Sequence, residues 1–440
     1  MRSETLALAI EALSWMELKR MNGRSALRRT AEQLWIRDGA ALRHAFRLVM
    51  EATRRRNALD HIITMALGED GIEDLFLGKK NFLRIYASEA KYGDSTYQEL
   101  VEMEDLAREI LGRREFGPVE EALVLIPRLE IGWDELPRDE ATALRTFHPA
   151  WYVKYCRELL GEEEAIRLLE APVPPSYVRL NALKGDDEGL LGRLRGEGVE
   201  LEETGLEHVY RVLDHASPLT FLDSHRMGLF TIQDKASALA GLIAAPAPGM
   251  TVLDVCAAPG IKTGHLSEMM GGEGRIFSMD FLERRLEDWK GEMARLGVGN
   301  ATPILGDAKK RGAFPDVEAD LVLVDPPCTG TGTFGRVPSG KWRITKRSIG
   351  RMAGIQERIL NRCAEHVAAG GAIVYSTCSV TVEENEWVVE NFLGAHPEFR
   401  MVDASPRLGL PGLLGQDGAQ RLYPHLHGCN GFYVARLERE

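Results

Sequence analysis

The sequence has no Cys-x-x-Cys pair, no histidine or cysteine run at zinc-ligand spacing and no apolar stretch long enough to cross a bilayer. Those absences argue against a disulfide framework, a structural metal and a membrane span. The six cysteines (Cys156, Cys256, Cys328, Cys363, Cys378 and Cys429) are widely separated, so thiols kept for packing or chemistry in a reducing compartment, the cytoplasm, are expected. The opening MRSETLALAIEALSWMELKR alternates charged and apolar residues at helical spacing, unlike a signal peptide. His148, His265, His425 and His427 show no metal pattern and are assigned structural roles.

Charge is also short of one sign. The net value of −12 by itself disfavours a nucleic-acid partner. Its distribution reverses that reading. Lys19, Arg20, Arg24, Arg28, Arg29, Arg37, Arg43, Arg47, Arg54, Arg55 and Arg56 crowd one stretch, while acids collect in 98–140 and 186–207. Because salt screens charge over about 8 Å, a local basic face can hold phosphates on an acidic chain. A solvated helix face is the plainer alternative.

Residues 1–140 carry no strand-like run. Leu6, Ile10, Leu13 and Met16 form one helical stripe, and Leu42, Phe46, Val49 and Met50 another. An all-α domain is expected over 1–140. Over 141–240, linker helices end at the prolines of PVPPS, and the runs SYVRLNAL, HVYRVL and GLFTIQD imply a small α/β subdomain. From 241 to 440 the pattern becomes strand, turn, helix, repeated. β-rich runs appear at 251–258, 275–280, 302–307, 319–325 and 371–378, with helices near 263–270, 284–296 and 355–368. This alternation predicts an α/β, Rossmann-like domain with a parallel sheet covered on both faces and its ligand at the carboxyl strand ends.

The loop after the first of these strands reads Asp254-Val-Cys256-Ala257-Ala258-Pro259-Gly260-Ile261-Lys262-Thr263. Small residues and a glycine let backbone approach a ligand, and the next helix offers free N–H groups. The loop is neither GxGxxG nor a Walker A sequence, so a nucleoside with an amino-acid tail fits better than a phosphate cofactor. The tail's carboxylate suits Lys262 and the helix N-terminus. Asp280, ending the second strand, suits ribose hydroxyls, and Asp307, ending the third, suits an adenine amino group. An acidic strand end is common, so each alone says little.

The fourth strand delivers Asp325-Pro-Pro-Cys328 and the fifth Thr377-Cys378-Ser379. A lone cysteine is most often a small buried hydrophobe. Two in polar loops at strand ends suit nucleophilic chemistry on a pyrimidine. Carbon 5 of cytosine is a poor nucleophile until a thiolate adds to carbon 6. The ring then attacks a donated methyl, helped by proton delivery to N3, a role suited to Asp325.

DVCAAPGIKT, VDPPCTGTGTFGRVPSGKW and VYSTCSVTVEENEWVV resemble the Sun/nucleolar-antigen family of RNA 5-methylcytosine methyltransferases, as do YVRLNAL, GLFTIQDKAS and RLYPHLHGCNGFYVARL. The likeness covers roughly 145–440. It implies S-adenosyl-L-methionine as cofactor, held by Cys256 through Lys262 with Asp280, Asp307 and Asp325. It also implies Cys378 as the nucleophile, Cys328 as the residue serving release, and a seven-stranded sheet whose last strand, GFYVARL, is reversed. Residues 1–67 resemble the helical RNA-binding domain of the antitermination factor NusB, a combination found in bacterial enzymes that methylate 16S rRNA cytosine. One departure stands out: Val337-Pro338-Ser339-Gly340 replaces the family's Asn-Pro-Asp before Lys-Trp, in a loop expected near substrate.

The expected partner is ribosomal RNA, with transfer RNA as the alternative; no metal and no membrane are expected, and the chain is taken as a monomer. RNA entry is assigned to the basic helices with Lys235, Arg336, Lys341 and Arg343. A catalytically silent RNA-binding or assembly factor stays open. A DNA cytosine enzyme fits less well, since its nucleophile would sit in a Pro-Cys motif on the fourth strand.

Overall fold

The computed structural model describes residues 2–68, 71–113 and 116–440. The chain divides into two compact units, Met1–Glu170 with Val337–Arg343, and Ala171–Arg336 with Ile344–Glu440. The helical run therefore continues past residue 140: Arg138–Arg145, Ala150–Leu160 and Glu162–Leu169 all belong to the first unit.

That unit is helical because its polar residues sit where helices need caps. Asn22 and Asp38 accept from Ser25 N and Ala40 N at the starts of Gly23–Leu34 and Gly39–Arg54, and Thr96 with Glu99 forms a capping box on Tyr97–Leu111. Leu6, Ile10, Leu13 and Met16 are all buried. On Gly39–Arg54 the buried face is Ala41, Ala45, Leu48, Val49 and Ala52, while Leu42 and Phe46 are only partly covered. The expected stripe was rotated by one residue because small alanines, not the larger side chains, meet the neighbouring helices.

The second unit holds two sheets. Strands β1 (Tyr177–Leu180), β2 (Val199–Glu203), β3 (Val209–His215) and β4 (Phe230–Ile232) form an antiparallel sheet in the order β2-β3-β1-β4. The other nine strands are β5 (Thr251–Val255), β6 (Arg275–Asp280), β7 (Ala301–Leu305), β8 (Ala319–Val324), β9 (Val367–Thr377), β10 (Phe399–Val402), β11 (Leu410–Pro411), β12 (Gln420–Leu422) and β13 (Phe432–Arg439). Their order is β11-β12-β13-β9-β8-β5-β6-β7, with β10 beside β13.

Strands β5 to β9 run parallel, and β13 runs antiparallel to β9, the reversed last strand that the sequence implied. Strands β5 and β8, buried almost throughout, are covered on both faces, as parallel strands require. Pro303 lies in β7, at the sheet edge, where a missing N–H breaks no ladder. The sheet grows from β5 toward β6 on one side and β8 on the other, so the chain reverses direction there. That switch point opens a crevice at the carboxyl ends of β5 and β8. Arg179 of β1 ties the small sheet to the helix Ile261–Met269 that follows β5, through the buried carboxylate of Glu268 at 2.8 and 2.9 Å.

Candidate active site

The loop leaving β5 turns sharply into the helix Ile261–Met269. Cys256 and Gly260 both take positive φ, 67° and 107°. A side chain at Gly260 would strike Met293 and Trp289, so only glycine lets this turn lie against the neighbouring helix. Below the loop, Asp254 accepts from Thr263 Oγ1 at 2.6 Å, and Thr263 receives Trp289 Nε1 at 3.0 Å. Burial pushes the Asp254 carboxyl up to about 7; the Thr263 bond and the Lys262 charge oppose that rise.

Asp280, at the end of β6, is almost wholly buried. Leu282 N donates to its Oδ1 at 3.2 Å. Its Oδ2 accepts no hydrogen bond, although Arg285 stands 3.3 Å away. A buried carboxylate oxygen without a donor is costly unless a ligand hydroxyl supplies one. Gly306 N bonds to the Asp280 carbonyl at 3.0 Å, which sets the chain after β7 beside β6; Asp307 follows, with Lys309 against its carboxylate. The Cys256 thiol packs against the sheet's core, and burial raises it strongly. Its backbone, with that of Ala257, Ala258 and Pro259, lines the turn; Ala257 N is bonded to Met279 O at 2.9 Å.

Lys262 joins this turn to the loop after β8. Its Nζ donates to Asp325 Oδ2 at 2.6 Å and lies 5.9 Å above the Phe432 ring. Burial would lower its basicity, but Asp325 outweighs burial and Cys378 adds to the effect, so the ammonium form is held. Ser376 Oγ donates to the other Asp325 oxygen at 3.2 Å.

The two cysteines converge as expected from adjacent strands. Cys328 Sγ and Cys378 Sγ lie 3.1 Å apart, both free thiols, too far for a disulfide. Contact with Cys378, then burial, raises the Cys328 thiol well above its ordinary value.

Between the cysteine loops sits a residue that the sequence did not single out. Glu384 is fully buried and accepts from Thr329 N at 2.8 Å, from Ser379 Oγ at 2.7 Å, from Thr381 Oγ1 at 2.8 Å, from Gln356 Nε2 at 3.0 Å and from Thr329 Oγ1. Its signal was the Glu384-Asn385-Glu386 triplet, which reads as a solvated helix start because charge usually faces water. Arg421, equally buried, pairs with Glu386 and donates to Val380 O at 2.8 Å, holding the Cys378 loop from its other side.

Three cations assigned to RNA entry do other work. Arg336 donates to the carbonyls of Pro174 and Pro175. Lys341 is buried, donates to Phe147 O at 3.0 Å and is lowered to about 7 by burial, then by Arg54 and Arg55. Arg343 donates to Arg20 O at 2.6 Å and Met21 O at 3.1 Å. The departing segment Val337–Arg343 is thus part of the helical unit. Its cations are long side chains spent on carbonyls that lack helical partners. Lys235 alone of the four lies beside an aromatic ring, 5.5 Å from that of Tyr177.

The basic run is similarly divided. Arg47 pairs with Glu89, Arg54 and Arg55 with Glu51, and Arg56 with Glu17 and Asp60, while Arg29 lies 3.8 Å over Trp15. Arg24, Arg28 and Arg37 line an open apolar groove with Leu27, Ile36 and an exposed Trp35. Among the described residues no group of three or more His, Cys, Asp or Glu could hold a metal ion, and no helix is long and apolar enough to cross a membrane.

Residues 241–438 match the family described as 16S rRNA methyltransferase RsmB/F. A Bacillus subtilis relative, a probable ribosomal RNA small subunit methyltransferase B, is 34% identical over 68% of this chain and 68% of its own length. This chain belongs to that family. A mouse member, a 28S rRNA (cytosine-C(5))-methyltransferase, is 33% identical over 64% of the chain and 38% of its own length. The solved structure of PH0851 covers 100% of this RsmB/F-family chain and 99% of its own at 27% identity, with a TM-score of 0.86. The likeness in fold therefore extends over the helical unit as well as the methyltransferase domain.

Proposed function

We propose that this RsmB/F-family protein methylates carbon 5 of a cytosine in ribosomal RNA, with S-adenosyl-L-methionine as methyl donor and Cys378 as nucleophile. The observation that carries the reading is the 3.1 Å approach of Cys328 and Cys378 at the ends of β8 and β9, beside the Lys262–Asp325 pair. When bound, S-adenosylmethionine supplies an electrophilic methyl.

Asp280 Oδ2, buried and lacking a donor, fits a ribose hydroxyl, and Lys262 with the start of Ile261–Met269 fits a carboxylate. The Cys378 sulfur adds to carbon 6. Asp325, sharing the Lys262 proton, serves ring N3. Carbon 5 then takes the methyl. Release is assigned to Cys328, which as thiolate takes the carbon-5 proton while the S–C6 bond breaks, its electron pair returning to Cys378 and the N3 proton going back to the Asp325–Lys262 pair.

Carbon 6 is unreachable in a duplex, so the target base must be unpaired or flipped. The helical unit is assigned to RNA contact through Arg24, Arg28 and Arg37, where Trp35 offers a stacking face. Thiols kept reduced fit a cytoplasmic monomer. The experiment incubates the protein, labelled S-adenosylmethionine and 16S rRNA or transfer RNA, and then maps the modified base. A labelled 5-methylcytosine in 16S rRNA, lost in Cys378→Ala, is expected. Methyl transfer undiminished in that variant would overturn the reading.

A further inference from the structure

We infer that Glu384 is a positioning residue that clamps both cysteine loops and so sets which sulfur attacks. The inference rests on the cysteine chemistry proposed above.

Its carboxylate is saturated from both loops. Thr329 follows Cys328 directly and gives Glu384 both its backbone N–H and its hydroxyl. Ser379 follows Cys378 directly and gives its hydroxyl to Oε2, the oxygen the Thr329 hydroxyl reaches, as does Thr381. Gln356 Nε2 divides between Glu384 Oε1 and Pro327 O, both at 3.0 Å, so the residue before Cys328 is held by the same assembly. Each cysteine is thus flanked by a group tied to one buried anion, and the sulfur separation follows from that shared anchor.

The helix start repeats the device. Tyr375 Oη donates to Glu384 O at 2.6 Å, Asn385 Nδ2 to Ser379 O at 3.0 Å, and Glu386 holds Arg421, which holds Val380 O. Gly332 N reaches Cys378 O at 3.0 Å, closing the Cys328 loop onto the Cys378 loop.

A carboxylate here also acts by charge. Glu384 is among the groups that raise the Cys328 thiol, after the Cys378 contact and burial. The clamp thus bears on both sulfurs: its charge adds to the rise of the Cys328 thiol, and its hydrogen bonds from Ser379 and Thr381 fix the loop that carries Cys378, the sulfur assigned to attack. Removing the charge while keeping the shape should therefore disturb chemistry before it disturbs RNA binding.

The test compares wild type, Glu384→Gln, Glu384→Asp and Thr329→Val, each checked for a cooperative melt. Glu384→Gln presents an amide to donors and loses the charge. Its kcat for methyl transfer is expected to fall about 100-fold, the effect of roughly an ångström of misplacement, with the KM for RNA held within about twofold. Iodoacetamide labelling followed by peptide mapping should shift from Cys378 alone toward both cysteines. Glu384→Asp, retaining charge, should keep labelling on Cys378, and Thr329→Val, losing one donor, should show a smaller kcat loss. A folded Glu384→Gln protein with wild-type kcat and labelling would overturn the inference, as would a rise in KM alone. If wild type forms no 5-methylcytosine, it is the functional reading that fails; the labelling result would still test the clamp.

Discussion

Lys262 Nζ lies 2.6 Å from Asp325 Oδ2, an ion pair that couples the turn after β5 to the loop after β8. Under the proposed function, the pair is where methyl-donor binding and base activation would meet. Lys262→Met should leave Asp325 with Ser376 Oγ, at 3.2 Å, as its side-chain donor. We expect kcat to fall by about 100-fold or more, the usual effect of losing one preorganised charge partner. Steady-state kinetics with RNA saturating checks this, and a change in KM for RNA alone would contradict it.

Cys328→Ala should separate attack from release. The Cys378 sulfur remains, so the covalent protein–RNA species should form and persist as a slow band on a denaturing gel. Cys378→Ala, and the double variant, should show no such band. Normal turnover of Cys328→Ala without the band would remove Cys328 from the release step.

Asp280 Oδ2, which accepts no hydrogen bond although Arg285 stands 3.3 Å away, predicts a ligand contact. Asp280→Asn should weaken S-adenosylmethionine binding about 10- to 100-fold, the range for a hydrogen bond to a charged group. The melting temperature of the ligand-free protein should hold or rise, because a buried charge is removed. Calorimetric titration gives the first quantity and a thermal melt the second.

Asp254 predicts a pH slope in stability. Its carboxyl is raised to about 7 in the fold, chiefly by burial, whereas an unfolded aspartate titrates near ~3.9. Between those values the folded state holds the proton that the unfolded state has lost. Stability therefore falls as pH rises through that window and is level on either side. Asp254→Asn keeps an acceptor for Thr263 and should flatten the slope, gaining on wild type at pH 8 relative to pH 4. Parallel urea-denaturation curves at both pH values would refute it.

Gly332 faces Gly431 so closely that an added Cβ would lie 2.1 Å from the Gly431 carbonyl oxygen. Backbone cannot give way as a flexible side chain can. Gly332→Ala should cost about 1–3 kcal/mol of stability and lower methyl transfer further than that loss explains, since Gly332 N anchors Cys378 O. Chemical denaturation and a rate assay on the folded fraction measure the two effects.

The parallel strands were legible because burial on both faces demands nearly continuous apolar runs; Asp254 and Asp280 lie at the carboxyl ends of β5 and β6, and Asp325, Cys328 and Cys378 in the loops just beyond β8 and β9. Strand β2, reading Val199–Glu203, was not legible: a mostly solvent-facing, acidic strand has no apolar alternation to detect. The strand Leu410–Pro411 is only a two-residue pairing, shorter than any periodicity. Charged residues misled in both directions. Lys341 and Arg343 were read as RNA-facing yet serve backbone carbonyls, and Glu384 was passed over yet lies at the centre of the cysteine loops.

The linear sequence by itself determined the class of chemistry, because that depends on residue types at strand ends, and strand ends follow from local hydrophobic pattern. The folded arrangement decided which groups are partners: that two sulfurs approach to 3.1 Å, that one carboxylate gathers donors from both loops, and that an arginine's charge is used inside the chain. Hydrogen bonding and desolvation act over a few ångströms between residues far apart in the chain, so such pairings exist only once the sheet order has brought β8 beside β9.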